Sequence, residues 1–383
     1  NGKKLIEDLV FRLNQHYLSV EKTKLVVNDS LDIDETNKKF DEVIKQLLNS
    51  FVKEMKVLIV KTSSLGDIVH ALPAVTEASH FFPSIEFDWL VEEAFCSVPS
   101  VHPSINNIIP VSLRKWRRNL SNAVIEFPSF VRRLRSIDYD LIIDSQGLLK
   151  SAILTMLSRG ERAGFDARSS REKAASFFYN KSYRVSGNAH AILRQKSLFA
   201  RILGYQETEN VDYGLGKKNK QRKKVIFFHG TSSRKKEWPK KFWSELVSKA
   251  TSKNWEVIIP ALGLHEIDRA KSISGGRATI LADTSIKNLM RELGECSAAV
   301  SVDTGLGHLA NAFSVPSIGI FGRTDPKLTG LVSPTANLKT SINLRCSCAK
   351  CSYQEKSNHK DYEFPCYKEV TPERVWSALE KVV

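Results

Sequence analysis

Apolar positions in this chain fall in short blocks whose spacing switches between two periods. From residue 56 onward, KVLIV, FDWLVEE, NNIIPVS and YDLIIDSQG are brief, β-rich runs that end in polar loops, the pattern of strands buried in a parallel sheet. Between them, IVHALPAVTEASHFF and SFVRRLRSI space their apolar residues at helical intervals. The alternation restarts with VIFFHG, KKFWSELVSKA, WEVIIPALG, HEIDRAKSI, ATILAD, SIKNLMREL, AAVSVDTG, HLANAF and PSIGIFG. Strands alternating with helices predict an α/β fold, doubly wound around parallel sheets. The polar, highly charged stretch 207–224 between the two series reads as a linker, so two Rossmann-like domains facing across a cleft are expected.

Residues 1–54 follow another pattern. Helical stretches KKLIEDLVFRLNQHYL and NKKFDEVIKQLLNSFVKE flank a β-like TKLVVND, and Phe40, Val43, Ile44, Leu47 and Leu48 form an amphipathic stripe. This segment reads as an appendage that packs against something and carries no chemistry. The expected organisation is therefore an appendage over 1–54, a first domain over 55–210, a second over 211–345, and a cysteine-rich segment with a final helix over 346–383.

In open α/β sheets ligands bind beyond the carboxyl ends of strands, so the strand-to-loop junctions are where chemistry belongs. The first junction, KTSSLGD, sets Lys61, Thr62, Ser63, Ser64, Gly66 and Asp67 before a helix N-terminus, a place that favours anions. It is neither a Walker A nor a GxGxxG loop. On pattern alone Asp67 reads as a helix cap. The second junction offers Thr231, Ser232 and Lys236, hydroxyls and an ammonium suited to a diphosphate, although a solvated turn fits equally well. At the third, Glu266 could accept from ribose hydroxyls or simply complement a helix dipole. The fourth, SVDTGLGHLANAF, is the most specific: the amides of Gly305, Leu306 and Gly307, with Thr304 beside them, fit a phosphate cradle.

Charge narrows the partners. The net charge is +15, and residues 1–54 contribute −1, so the main body carries +16. That balance favours phosphorylated molecules, an anionic membrane face or nucleic acid. Nucleic acid is disfavoured, because neither a groove-reading helix nor an aromatic stacking platform is evident. No apolar run approaches the roughly 20 residues of a membrane span. The start, NGKKLIEDLVFRLNQ, lacks the apolar core of a secretory leader, so a cytoplasmic location is expected. Cys96 and Cys296 stand alone and read as buried or inert. Cys346, Cys348, Cys351 and Cys366 are spaced as ligands of a structural zinc or iron ion, with metal-free thiols as the alternative.

Taken in order, KVLIVKTSSLGDIVHALPA, FDWLVEE, IIPVSLRKWRR, IIDSQGLLKSA, REKAASFFYN, HGTSSRKKEWP, LHEIDRAK and SVDTGLGHLANAF resemble the heptosyltransferases of glycosyltransferase family nine, over roughly residues 55–345. The resemblance implies the GT-B architecture. It also implies inverting, metal-free transfer of L-glycero-D-manno-heptose from ADP-heptose to the Kdo of Kdo-lipid A, in lipopolysaccharide inner-core synthesis at the inner face of the cytoplasmic membrane. It makes Asp67 the general base, against the cap reading. Lys236, Thr231 and Ser232 match its donor-diphosphate residues, with Ser232 where a relative has Thr. Glu266 matches the ribose acid, and Asp303, Thr304, Gly305, Leu306 and His308 match the donor cradle, with Gly307 where Ser is common. Ser64, Gly66, Arg114, Lys115, Arg117 and Arg118 fall on the acceptor side, and Trp116 among them is expected either at a membrane surface or in the core. Two other readings stay open: a family-nine enzyme acting on a later core sugar or on protein, and a catalytically inactive binding or scaffold protein.

Overall fold

Val57, Leu58, Ile59 and Val60 are all fully buried, so the first apolar run of the main body has water on neither face and becomes a central strand. The computed structural model describes residues 55–216, 222–231, 233, 236–322, 324–334, 340–345, 367 and 369–383. The helices expected within 1–54 lie outside the described residues. A first lobe runs β1 (Met55–Val60), α1 (Leu65–Phe81), β2 (Ile85–Glu92), β3 (Ile105–Val111), α2 (Leu113–Arg118), α3 (Leu120–Leu134), β4 (Asp138–Asp144), α4 (Leu149–Leu157), β5 (Arg159–Phe165), β6 (Lys181–Tyr183) and α5 (Ala191–Leu203). A second runs β7 (Lys224–Phe228), α6 (Lys240–Ser252), β8 (Glu256–Pro260), α7 (Gly263–Ser274), β9 (Thr279–Leu281), α8 (Ile286–Leu293), β10 (Ala298–Val302), α9 (Gly305–Ala312), β11 (Ser317–Phe321), α10 (Pro326–Thr329), β12 (Ser341–Arg345) and α11 (Pro372–Leu379).

Both sheets are parallel throughout. Their orders are β3-β2-β1-β4-β5-β6 and β12-β11-β10-β7-β8-β9, the same dinucleotide-fold order in each lobe. Each order reverses direction between two central strands, β1 and β4 in one lobe, β7 and β10 in the other. The loops leaving those strands diverge and open a crevice. The fold is the α/β, two-domain GT-B arrangement expected from the sequence.

α2, α3 and α4 cover one face of the first sheet, with Trp116, Phe130, Leu134 and Leu154 packed on Leu58, Val60 and Ile142. α1 and α5 cover the other face. There the apolar cluster continues without a break into the second lobe, through Leu289, Leu309, Ala310 and Phe313 of α8, α9 and the turn after it. The C-terminal helix does not form a separate module: Val375, Trp376 and Leu379 of α11 pack on Trp243 and Val247 of α6, inside the second lobe's core.

The connection between lobes differs from a free linker. Val211, Tyr213 and Leu215 are buried, and the stretch before them is pinned by Lys196. The Lys196 ammonium, itself fully buried, donates to the carbonyls of Thr208 and Asn210, each at 2.5 Å, and pairs with Glu77 at 3.2 Å. Glu77 in turn accepts from the Thr208 amide at 2.8 Å. A buried charge is tolerable only with such a full set of partners, so this part of the connection is fixed in place.

Candidate active site

In the first lobe, the loops after β1 and β4 are laced together. The Lys61 ammonium, buried, donates to the Ser145 carbonyl at 2.6 Å, and the Thr62 amide and hydroxyl donate to Gln146 Oε1 at 2.7 and 3.0 Å. Asp67 occupies the third position of α1. Its Oδ2 accepts from the Ser64 amide at 3.0 Å and the Ser64 hydroxyl at 2.9 Å, which is the helix-cap role. Its Oδ1 points elsewhere and accepts from Arg171 Nη2 at 2.6 Å. One carboxylate therefore caps the helix with one oxygen and holds Arg171 with the other.

Burial opposes the charge on Asp67, but Lys61 and Arg171, helped by the two Ser64 bonds, outweigh it and hold the carboxyl far below the usual carboxylate range. Burial likewise pushes Lys61 down to about 8, against the pull of Asp67. Lys61, Asp67, Ser145, Ser169, Arg171 and Arg194 all line one small cavity. Three cations around a single carboxylate make an anion-receiving wall.

In the second lobe, a pocket of about 230 Å³ lies at the β7–β10 reversal. Phe228, Pro260, Ala261, Leu262, Ile286 and Leu289 give it apolar walls, and Thr231, Glu266 and Thr304 give it polar points. Gly230 is required here, since a Cβ would stand 2.8 Å from the Glu266 carboxyl carbon. Glu266 is steadied by the Leu262 amide at 2.8 Å. Beside Thr231 and Thr304, Asp303 Oδ2 accepts from the Lys236 ammonium and the Thr324 hydroxyl, both at 2.6 Å, while the Thr231 hydroxyl reaches the Asp303 carbonyl at 3.3 Å. An apolar slot with a carboxylate in its wall, and an ammonium linked to its Thr231 through Asp303, suits a nucleoside diphosphate.

The N-termini of α1 and α9 meet between these two sites. A Cβ on Gly305 would lie 2.8 Å from the Gly66 amide nitrogen and 2.9 Å from Leu65 Cβ, so the two backbones touch. Neither N-cap side chain of α9 nor any acid in its first turn quenches its free amides. Two positive helix ends converging on one point favour an anion there. One expected cradle member does not belong. The Gly307 amide already donates to the Thr304 carbonyl at 3.1 Å, and a Cβ on Gly307 would overlap the Ser301 hydroxyl, so Gly307 is a packing glycine against β10, and the first-turn amides left for an anion are those of Gly305 and Leu306. His308 crosses between lobes: its Nδ1 lies 3.2 Å from His70 Nε2, with His190 close by.

The basic run splits. Arg114, Arg117 and Arg118 are exposed, with the Arg114 guanidinium over the Phe95 ring at 4.9 Å. Lys115 is held by Glu126 at 2.5 Å. Trp116 is in the core, stacked edge-on against Phe127 and Phe130 and donating to Glu126 at 2.8 Å, which overturns its membrane-facing alternative. The four residues Glu92, Ser112, Arg114 and Arg118 help line a 490 Å³ surface groove. Ser232 lies outside the described residues, as do Cys346, Cys348, Cys351 and Cys366. Arg171, Arg194, His70 and His190 escaped the sequence reading; Arg171 is 104 residues from Asp67, and only the fold brings them together.

Comparison with known proteins agrees with this geometry. The model of glycosyltransferase family 9 (heptosyltransferase) matches residues 128–361. Lipopolysaccharide heptosyltransferase 1 of Pseudomonas aeruginosa is 39% identical over 349 residues, covering 86% of this chain and 98% of that protein. Its Escherichia coli K12 counterpart is 39% identical over 288 residues, covering 72% and 90%. The solved E. coli heptosyltransferase WaaC with ADP superposes with a TM-score of 0.75 at 34% identity, covering 86% of this chain and all of that one, and its complex with ADP-2-deoxy-2-fluoro heptose gives 0.72 at 33%. Paired parallel sheets, a nucleotide-shaped slot and this degree of identity lead to one placement: the chain belongs to glycosyltransferase family 9, the heptosyltransferases.

Proposed function

We propose that this chain transfers L-glycero-D-manno-heptose from ADP-heptose to the Kdo of Kdo-lipid A, with inversion, at the cytoplasmic face of the inner membrane. The names of the 39%-identical relatives and the ADP and ADP-sugar bound to WaaC support this donor and this step. The observation that carries the reading is the position of Asp67 in the first turn of α1, the helix end that touches the start of α9, whose lobe holds Lys236 and the α9 amides suited to a diphosphate.

Adenine enters the apolar slot between Phe228 and Leu289, and Glu266 accepts from the ribose hydroxyls. The diphosphate lies on Thr231, Lys236 and the Gly305 and Leu306 amides, which leaves the sugar over the α1–α9 meeting point. The acceptor hydroxyl attacks the anomeric carbon as Asp67 takes its proton. A new C–O bond forms, the bond to phosphate breaks, and the electron pair leaves on the ADP oxygen. Lys236 and the helix end meet that charge, which is why we assign the catalysis no metal ion. The Kdo carboxylate can compete for Arg171; each hydrogen bond it draws away from Asp67 makes the carboxylate a stronger base when the acceptor is in place. Arg114, Arg117 and Arg118 suit the lipid A phosphates. A zinc or iron ion at the four clustered cysteines would be structural.

Asp67→Asn tests the assignment. Turnover should fall about 100- to 10,000-fold while ADP-heptose affinity holds. Turnover near that of the parent would remove Asp67 from the chemistry.

A further inference from the structure

α3 carries more apolar surface than its own lobe buries. Phe130 and Leu134 point into the cluster on the first sheet, with Ala123 packed against it. Leu120, Val124 and Ile125 point the other way and are 76%, 75% and 75% exposed. Three large aliphatic side chains on two adjacent turns, all in water, exceed the scattered exposure normal for a folded surface.

Their surroundings are strongly cationic. Between residues 113 and 135 the chain has Arg114, Lys115, Arg117, Arg118, Arg132, Arg133 and Arg135 against a single acid, Glu126, and that acid is engaged by Lys115 and Trp116. Lys150, at the start of α4, is close enough to Arg114 and Arg117 to feel both charges, with Glu92 and Glu172 as the acids that face it. An apolar ridge flanked by guanidinium groups is complementary to one surface in particular, an anionic bilayer: aliphatic side chains enter the headgroup–acyl boundary and the arginines engage phosphates. A protein partner of matching character would need an acidic apolar groove. The most exposed side chains of the ridge are aliphatic, and the one aromatic beside them, Phe127, is 39% exposed with its ring packed against Trp116 and Phe130, so the ridge offers little of the free aromatic surface that dominates protein interfaces.

We infer that α3, with the preceding basic helix α2, is a bilayer-docking surface, seated in anionic phospholipid through Leu120, Val124 and Ile125. Among the described residues no helix is long and apolar enough to cross a membrane, so this contact lies in the interface plane. It rests on the reading of the acceptor as lipid-anchored, and it adds where the lipid surface is met. The groove beside Arg114 and Arg118 opens on the same edge, so docking brings the acceptor's headgroup to the protein already oriented.

The test uses the full chain and vesicles of phosphatidylethanolamine with about one quarter phosphatidylglycerol, without donor or acceptor. The parent protein should co-sediment with them, and weakly with phosphatidylcholine alone. The triple variant Leu120→Ser, Val124→Ser, Ile125→Ser should partition at least about tenfold less, with unchanged turnover on detergent-dispersed acceptor. If that variant melts early, the double variant Leu120→Glu, Ile125→Glu, at two sites facing water, reads the same step. Equal sedimentation of variant and parent overturns the proposal, as does a parent that ignores anionic vesicles. A change confined to self-association points to a protein partner and also overturns it. Absence of heptose transfer to dispersed acceptor by the parent would instead sink the proposed reaction, and leaves the vesicle result to stand or fall by itself.

Discussion

Gly305 and Gly307 sit two residues apart at the start of α9, and an added methyl at each meets a different part of the molecule. At Gly305 a Cβ would stand 2.8 Å from the Gly66 nitrogen, 2.9 Å from Leu65 Cβ and 3.0 Å from Leu65 Cγ, all in the opposite lobe. A backbone nitrogen cannot swing aside as a side-chain tip can, so Gly305→Ala must hold the lobes apart. Overpacking of this kind costs about 1–3 kcal/mol. If closure assembles the reacting groups, that cost appears as a drop in kcat/KM of about 5- to 150-fold. The second lobe itself should be as stable as before, because Ala is the better helix former by up to about 1 kcal/mol. ADP affinity, which that lobe supplies, should hold. Gly307→Ala is the counterpart: its methyl strikes Ser301 within the same lobe, so Tm should fall, by about 2–4 °C for each kcal/mol of strain. Steady-state transfer, ADP titration calorimetry and thermal melts on both variants decide the matter. Parental kcat/KM in Gly305→Ala, or a Tm loss equal to that of Gly307→Ala, would refute closure through the α1–α9 contact.

Lys236→Ala should weaken ADP-heptose binding about tenfold or more, the worth of a charge-assisted contact, with an unchanged Kd counting against Lys236 as a diphosphate ligand. Glu266→Gln should weaken ADP but leave 2′-deoxy-ADP nearly untouched; equal losses would detach Glu266 from the ribose. His70 and His308 are both kept neutral by burial first, then in His70 by the facing His308, and His308 is pushed down to about 4. Asp67 and Asp303 pull the other way, while Lys61, Lys236 and His190 reinforce the neutral state. Because the closed pair prefers to lack a proton, closure is fully supported above the ordinary histidine value and is lost as pH falls from there toward about 4. kcat/KM should decline over that window, and His70→Asn should flatten the decline; an identical acid limb in the variant would free the pair from this role.

The central strands were plain in the sequence because both faces of β1, β7 and β10 are buried over VLIV, VIFF and AAVSV, runs that Ser301 alone interrupts. β5 was not. Its opening residues Arg159, Gly160 and Glu161 are exposed and only Ala163, Gly164 and Phe165 are buried, so RGERAGF shows neither a continuous run nor an alternation. The three-residue β6 is too short to leave a signal. For the site, the strand-to-loop junctions offered Asp67, Lys236, Glu266 and Asp303 as candidates; Asp67, Lys236 and Asp303 follow strands at a sheet reversal, and Glu266 follows β8. They could not supply Arg171 or the His70–His308 contact, which depend on pairings across 104 and 238 residues. Gly307 was misread for a related reason: its need for hydrogen in place of a side chain comes from Ser301 below it, which no pattern in GLGH encodes.

Of the side chains lining the nucleotide-shaped slot, Leu65 alone comes from the first lobe among the described residues. On the proposed reaction, recognition of the leaving group is thus written almost wholly in one half of the chain, and recognition of the receiving sugar in the other. Drift in either half can change one specificity and spare its counterpart, provided the glycine-to-glycine contact survives. Exchange of whole halves between family members should therefore yield working hybrids more readily at residues before β7 than at any point inside a sheet.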